Sequence, residues 1–188
     1  YAPRIFEETG LGKDASLFNS IILGVINIIF TYLGVILIDR IGRKKLMLIG
    51  SIGYIISLTI IALSLKSNPF GINSSIFIFS FIASHAVGQG TVIWVFISEI
   101  FPNSLRSKGQ AFGSSVHWVL AAIIPVFIPY LLNSIGSQII FFFFAFMMSL
   151  QLLFVLFMMP ETKGVSIELL FKEVLKSKNK KIKTENNS

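Results

Sequence analysis

The sequence predicts an all-α integral membrane protein, a bundle of five full transmembrane helices. Three observations carry this. The 188 residues are 54% hydrophobic and only 13% charged, about half the ~25% charge of a soluble domain. Five windows, at 17–38, 46–65, 74–98, 110–132 and 139–159, contain no charged residue, and each exceeds the roughly 18 residues that mark a membrane helix. All 16 Lys and Arg and all 9 Asp and Glu lie outside those windows. Such segregation excludes a soluble enzyme and a disordered chain, and the absence of Cys excludes a disulfide scaffold and thiol chemistry.

Residues 1–16 open on Tyr1-Ala2-Pro3, with no initiator Met. They are expected to be the end of an earlier membrane helix followed by an extracellular connection, so that the sequence is a fragment of a longer protein. In the first span Ser20, Gly24, Asn27, Thr31 and Gly34 follow steps of four and three, a polar and small stripe on a helix of Ile, Val and Leu. Hydrocarbon solvates polar groups poorly, so the stripe faces protein or water. It serves either close helix packing or a polar cavity, and Asn27 is its one amide. The second span offers only Gly50, Ser51, Gly53 and Ser57.

The third span is the richest, with Ser84, His85, Gly88, Gln89, Gly90, Thr91, Trp94 and Ser98, ending at Glu99. Two glycines one residue apart in mid-span weaken the helix, which suits either a bend around a ligand or a close helix contact. The fourth span carries Gln110, Ser114, His117, Trp118 and Ala121, then Pro125 and Pro129, whose spacing predicts a kink. His117 is either a packing residue or a ligand contact. The fifth span holds seven Phe, four Leu, two Ile and one Val; together these favour insertion by roughly 4 to 8 kcal/mol, with Gln151 set against them. The predicted arrangement has the first, third and fourth spans around a cavity, with the second and fifth facing lipid.

Residues 160–188 form a tail. Ser166 is a candidate N-cap, and Ile167, Leu170, Phe171, Val174 and Leu175 recur at helical spacing. A short amphipathic helix on the inner membrane surface is expected, followed by a disordered Lys-rich end drawn to anionic lipid.

Orientation follows from the basic residues. Thirteen of the sixteen flank one side, among them Arg40, Arg43, Lys44, Lys45, Arg106, Lys108 and the tail lysines; Arg4, Lys13 and Lys66 flank the other. The protein is therefore expected to be multi-pass in the cell's plasma membrane with its C-terminus cytoplasmic. The net charge of +7 is a topology signal, not a nucleic-acid surface. No residue pattern supports an enzyme, a metal or another cofactor. Gly88-Gln89-Gly90 lacks the strand and the Lys of a phosphate loop, and His85 and His117 have no partnering carboxylate within a span. No Arg or Lys is embedded for an organic anion, so the polar groups suit an uncharged ligand rich in hydroxyls.

Three connections make a family visible: Asp39-Arg40-Ile41-Gly42-Arg43-Lys44; Gly88-x-Gly90-x-x-x-Trp94 leading to Ser98-Glu99-Ile100-Phe101-Pro102-Asn103-Ser104-Leu105-Arg106; and Pro160-Glu161-Thr162-Lys163-Gly164. In this order and spacing the chain resembles the C-terminal half of the sugar porter family of the major facilitator superfamily, most like its bacterial members. The resemblance implies that the five spans are helices eight to twelve of a twelve-helix carrier. It implies alternating-access transport of a neutral hexose or pentose, with the N-terminal half of the same carrier as the missing partner. Protons are a further substrate in family symporters, carried by an acid of the first helix, outside this sequence. Asn27, Trp94 and Trp118 match family sugar-site positions, and His117, Gln89 and Thr31 join them as candidate sugar-binding residues. Ala86 and His117 stand where family glucose carriers often have Glu and Asn, and Gln89 and Thr91 replace the prolines of the glycine motif. These departures leave the sugar open, another neutral polyol such as inositol included. A transport-dead sugar sensor is the alternative from another class.

Asp39, Arg40, Arg43, Glu99, Arg106 and Glu161 resemble the family's cytoplasmic charge network. The resemblance implies ion pairs that lock the outward-open state and break as the carrier opens inward. The same residues also fit solvated pairs of ordinary positive-inside topology.

Overall fold

A computed structural model describes residues 2–8, 12–67 and 74–164. Its elements are all helical: α1 (Ala2–Glu8), α2 (Lys13–Ile41), α3 (Arg43–Ser67), α4 (Ser74–His85), a π-helical turn over Ala86–Gly90, α5 (Thr91–Glu99), α6 (Arg106–Ile135) and α7 (Ser137–Phe157). Five stretches are long and apolar enough to cross a membrane, with α4, the π turn and α5 together making one of them. These are the five spans expected from the sequence. Several run past the charge-free windows, because no water in the bilayer competes for backbone hydrogen bonds and the helix continues to the interface. α2 begins at Lys13, inside what the sequence reads as an extracellular connection. The amphipathic tail helix expected at 166–175 lies outside the described residues.

Single glycines make the two tightest connections. Gly42 joins α2 to α3 and Gly136 joins α6 to α7, with φ of +98° and +82°, a region glycine enters without the Cβ penalty.

The packing corrects one expectation. The second span is the most buried of the five and not simply a lipid-facing helix: α3 has 44% of its membrane window buried while α6 has none. Ile49, Ile52 and Ile56 form the exposed side of α3. Its small residues bring backbones together instead. An ideal Cβ on Gly50 would lie 2.7 Å from the Gly88 Cα, and one on Gly88 would lie 2.7 Å from the Gly50 Cα. Ser51 Oγ donates to the Met47 carbonyl (2.8 Å), and Ser57 Oγ bonds Ser80 Oγ (3.1 Å). The fifth span, α7, packs on α3 through Val155 in one of two apolar clusters, with Ile38, Leu46, Met47, Val92, Phe96 and, just past the helix end, Met159. Phe6 of α1 joins Ile61 and Ile78 in the other.

The π turn falls where the paired glycines predict weakness. One extra residue per turn leaves carbonyls poorly matched, and Thr91 Oγ1 donates to the Ala86 carbonyl at 2.7 Å. Gly88 provides the close contact with α3, which is the packing reading of the glycine pair. α6 remains one helix through Pro125 and Pro129.

Gly88→Ala places a methyl into the α3 backbone, where nothing flexible can give way. It should cost about 1 to 3 kcal/mol and lower the melting temperature of the detergent-purified full-length protein. Gly24→Ala, whose Cβ meets nothing within 4 Å, should leave it unchanged.

Candidate functional site

A cavity of about 460 Å³ opens beside the π turn. Five of the six sugar-binding residues expected from the sequence line it: Asn27 and Thr31 from α2, Gln89 from the π turn, Trp94 from α5 and His117 from α6. The sixth, Trp118, is not part of the lining but completes an aromatic cluster with two residues that are. Trp94 meets His117 edge-on (5.0 Å between ring centroids, 77°), His117 meets Trp118 edge-on (5.4 Å, 81°), and the two indoles stand 6.4 Å apart. Edge-to-face geometry of this kind fixes ring orientation as well as contributing packing energy.

Gln89 is the most constrained of the set. It is buried, and its Nε2 donates to Ser51 Oγ at 3.0 Å. Ser51 can accept because its own proton goes to the Met47 carbonyl. Gln89 Oε1 accepts nothing among the described residues. Oε1 is itself sealed on the α3 side, 2.8 Å from where a Cβ on Gly50 would lie, so the amide belongs to the α3 contact while Gln89 lines the cavity.

The lining also holds groups beyond the expected set: His85, Met47, Ile93, Phe154 and Gln151. Gln151 has a legible signal, being the one amide in a span otherwise of apolar residues and Ser149. None of the lining side chains carries a formal charge apart from the two imidazoles' capacity to take one, so the wall can satisfy hydroxyls without burying an ion.

A second cluster sits at the opposite end of α5. Arg43 holds Glu99 in two hydrogen bonds, Nη2 to Oε1 at 2.7 Å and Nε to Oε2 at 3.0 Å. Arg43 Nη1 also reaches Asp39 Oδ1 (3.0 Å) and the Ile38 carbonyl (3.2 Å). Thr162 Oγ1 donates to Glu99 Oε2 at 2.6 Å; being neutral, this residue escapes a search of the sequence for charged partners. Glu161 lies against the N-terminus of α3: its Oε1 accepts from the backbone N–H of Arg43 (2.9 Å) and of Lys163 (3.1 Å), and its Oε2 from that of Lys44 (3.2 Å). An ideal Cβ on Gly42 would lie 2.6 Å from Glu161 Oε2, so this carboxylate needs glycine at the α2–α3 link.

Of the six expected network residues, Asp39, Arg43, Glu99 and Glu161 come together. Arg40 enters only through its carbonyl, which accepts from Lys163 Nζ at 2.6 Å. Arg106 stays apart, its buried Nε without a hydrogen-bond partner among the described residues. The sequence places Arg106 near Glu99 along the chain, but the turn at 100–105 carries it to the start of α6.

The profile of the family described as sugar (and other) transporter matches residues 1–173. The chain belongs to this family. Among curated relatives, an arabinose-proton symporter of Bacillus subtilis is 38% identical over 169 residues, covering 89% of this chain and 36% of that protein. A D-xylose-proton symporter of Escherichia coli is 32% identical over 174 residues, covering 89% and 35%. A glucose transporter of Staphylococcus epidermidis is 37% identical, covering 89% and 38%. The chain therefore spans little more than a third of the length of these relatives. A crystal structure of a D-xylose-proton symporter superposes with a TM-score of 0.77 at 31% identity, over 88% of this chain and 39% of that one. The fold is that of a major facilitator sugar porter.

Burial pushes the Glu161 carboxyl up, but the N–H groups of Lys163, Arg43, Lys44 and Thr162 outweigh it and hold the pKa below its ordinary 4.5. A depressed carboxylate stabilises the fold above its unfolded pKa, and that contribution is lost as the pH falls through the folded value. Glu161→Ala should therefore cost about 1 kcal/mol near neutral pH, the usual worth of a helix N-terminal acceptor. In thermal unfolding, the gap between wild type and variant should hold above pH ~4.5 and close only at more acidic pH.

Proposed function

We propose that this chain is the C-terminal part of a longer carrier that moves a neutral sugar, a hexose or pentose, across a membrane by alternating access. The observation that carries the reading is the cavity wall: amide, hydroxyl, imidazole and indole groups from four helices converge on one space, with no Lys, Arg, Asp or Glu among them. A sugar offers several hydroxyls, no charge, and apolar ring faces that stack on indoles. The names of the relatives, with arabinose, xylose and glucose among their substrates, support the same class. Two of them are proton symporters, which supports coupling to protons.

In this reading Asn27 hydrogen-bonds sugar hydroxyls, Thr31 and Gln89 line the site beside it, and Trp94, His117 and Trp118 form the stacking wall. The Arg43–Glu99 pair, with Asp39 and Glu161, is the cytoplasmic latch that holds the outward-open state. The pair joins the first residue of α3 to the last residue of α5, so it ties two helices at the one end where opening would part them. Arg40 takes part through its backbone and Arg106 does not take part. The excess of Lys and Arg on this face supports a cytoplasmic placement for it.

Uptake of labelled D-xylose, L-arabinose and D-glucose by the full-length protein in proteoliposomes tests the substrate class. Saturable uptake of at least one is expected, and Asn27→Ala should raise its KM about tenfold, the worth of one to two hydrogen bonds. No saturable uptake of any hexose or pentose would overturn the reading. Glu99→Gln should shift the carrier toward inward-open, seen as greater labelling of cysteines placed on the cytoplasmic side of the cavity; unchanged labelling would remove the latch.

A further inference from the structure

We propose that His85, set in place by Tyr54, is a specificity-determining contact of this cavity, donating from Nε2 to one hydroxyl oxygen of the sugar; this rests on the reading of the cavity as a sugar site. His85 is the last residue of α4, immediately before the π turn, and it lines the cavity. Its Nδ1 lies 3.4 Å from the Tyr54 hydroxyl of α3. The two rings meet edge-on, 5.7 Å apart at 78°. Tyr54 is itself held edge-on by Phe81, at 4.6 Å and 82°, so the hydroxyl is delivered to the imidazole by a ring that has little freedom.

The other side of the imidazole faces a residue with no side chain. An ideal Cβ on Gly90 would lie 3.3 Å from His85 Nε2, and Gly90 also lines the cavity. Glycine at this position leaves the nitrogen uncovered. Among the described residues Nε2 has no hydrogen-bond partner, and the atom is not sealed in the interior. An imidazole nitrogen is a better acceptor than a phenol oxygen; in the proposed arrangement the Tyr54 hydroxyl donates to Nδ1, which places the proton of the neutral ring on Nε2. The ring then presents a single donor toward the space that Asn27, Gln89 and His117 share.

A donor with one fixed role discriminates by position. A sugar with an oxygen opposite Nε2 satisfies it, and an analogue lacking that oxygen leaves a desolvated N–H without a partner. His85 is therefore a group that selects among sugars rather than one that binds all of them equally. Tyr54 acts through His85 and is a positioning residue.

The test is inhibition of labelled sugar uptake by D-glucose, D-xylose and their single-deoxy analogues, using the full-length protein in proteoliposomes. Wild type should disfavour one analogue by about tenfold relative to its parent. In His85→Phe that preference should fall to about onefold for the same hydroxyl and persist for the others. Tyr54→Phe should weaken the same preference to about threefold, since the ring then samples both tautomers. His85→Gln, which restores an N–H, should retain part of it and provides the comparison if the Phe variant fails to fold. A wild-type protein that transports sugar while all three variants keep wild-type discrimination, or lose affinity for every analogue equally, overturns the assignment of His85 and leaves the sugar reading standing. A wild-type protein inhibited by no sugar overturns both.

Discussion

The contact on which the rest depends is the approach of α3 to the π turn, where Gly50 and Gly88 leave no room for a methyl group on either side. In a bilayer, helices gain little from hiding apolar surface from one another, because lipid tails are as apolar as leucine. Association rests on close van der Waals fit and on polar groups that find partners. The glycine pair supplies the fit, and the Gln89–Ser51 bond beside it supplies the partner. With the turn seated on α3, the side chains before and after it have fixed places. His85 lies over Gly90 against Tyr54, Gln89 enters the α3 contact, and Trp94 reaches the imidazole of His117.

The same two helices carry the charged cluster. α3 begins at Arg43 and α5 ends at Glu99, so the bidentate ion pair ties the near ends of two spans whose backbones already touch at Gly50 and Gly88. Glu161 then adds the segment after α7 to the same clamp by accepting backbone N–H groups at the start of α3. This carboxylate acts less as an ion-pair partner than as a helix cap, since its closest donors are backbone nitrogens and not the Arg43 guanidinium. A charge network inferred from residue type alone treats Arg40, Arg43 and Arg106 as equivalent. Geometry separates them, because a guanidinium contributes only where its fork meets a carboxylate.

The five spans are legible in the sequence because the bilayer imposes a simple rule on composition, and charge-free length is enough to see it. The cavity is legible in large part for a related reason: a polar residue in an apolar span has to face protein or water, which singles out Asn27, Thr31, Gln89, Trp94 and His117. What the rule cannot do is say which helix lies in the middle. Small residues such as Gly50 and Ser51 serve equally a lipid face and a buried one, and only the partner glycine in another span decides. His85 is visible as a membrane histidine, but its role depends on Tyr54, which reads as an ordinary aromatic until the two helices are placed side by side. Gln151 reads as a penalty to insertion, whereas its polarity points to the cavity. Arg106 joins the expected network through the family resemblance, yet its Nε has no hydrogen-bond partner among the described residues.

The central claim is that the uncharged polar wall beside the π turn receives the sugar. A cryo-electron microscopy map of the full-length protein with a transported sugar tests it most directly. Ligand density between Asn27, Trp94 and His117, with a sugar oxygen within hydrogen-bond distance of the Asn27 amide, is the result predicted. Density in the apolar space between α6 and α7 around Ile124, Ile128 and Phe144, with the wall at Asn27 and His117 empty, would contradict it.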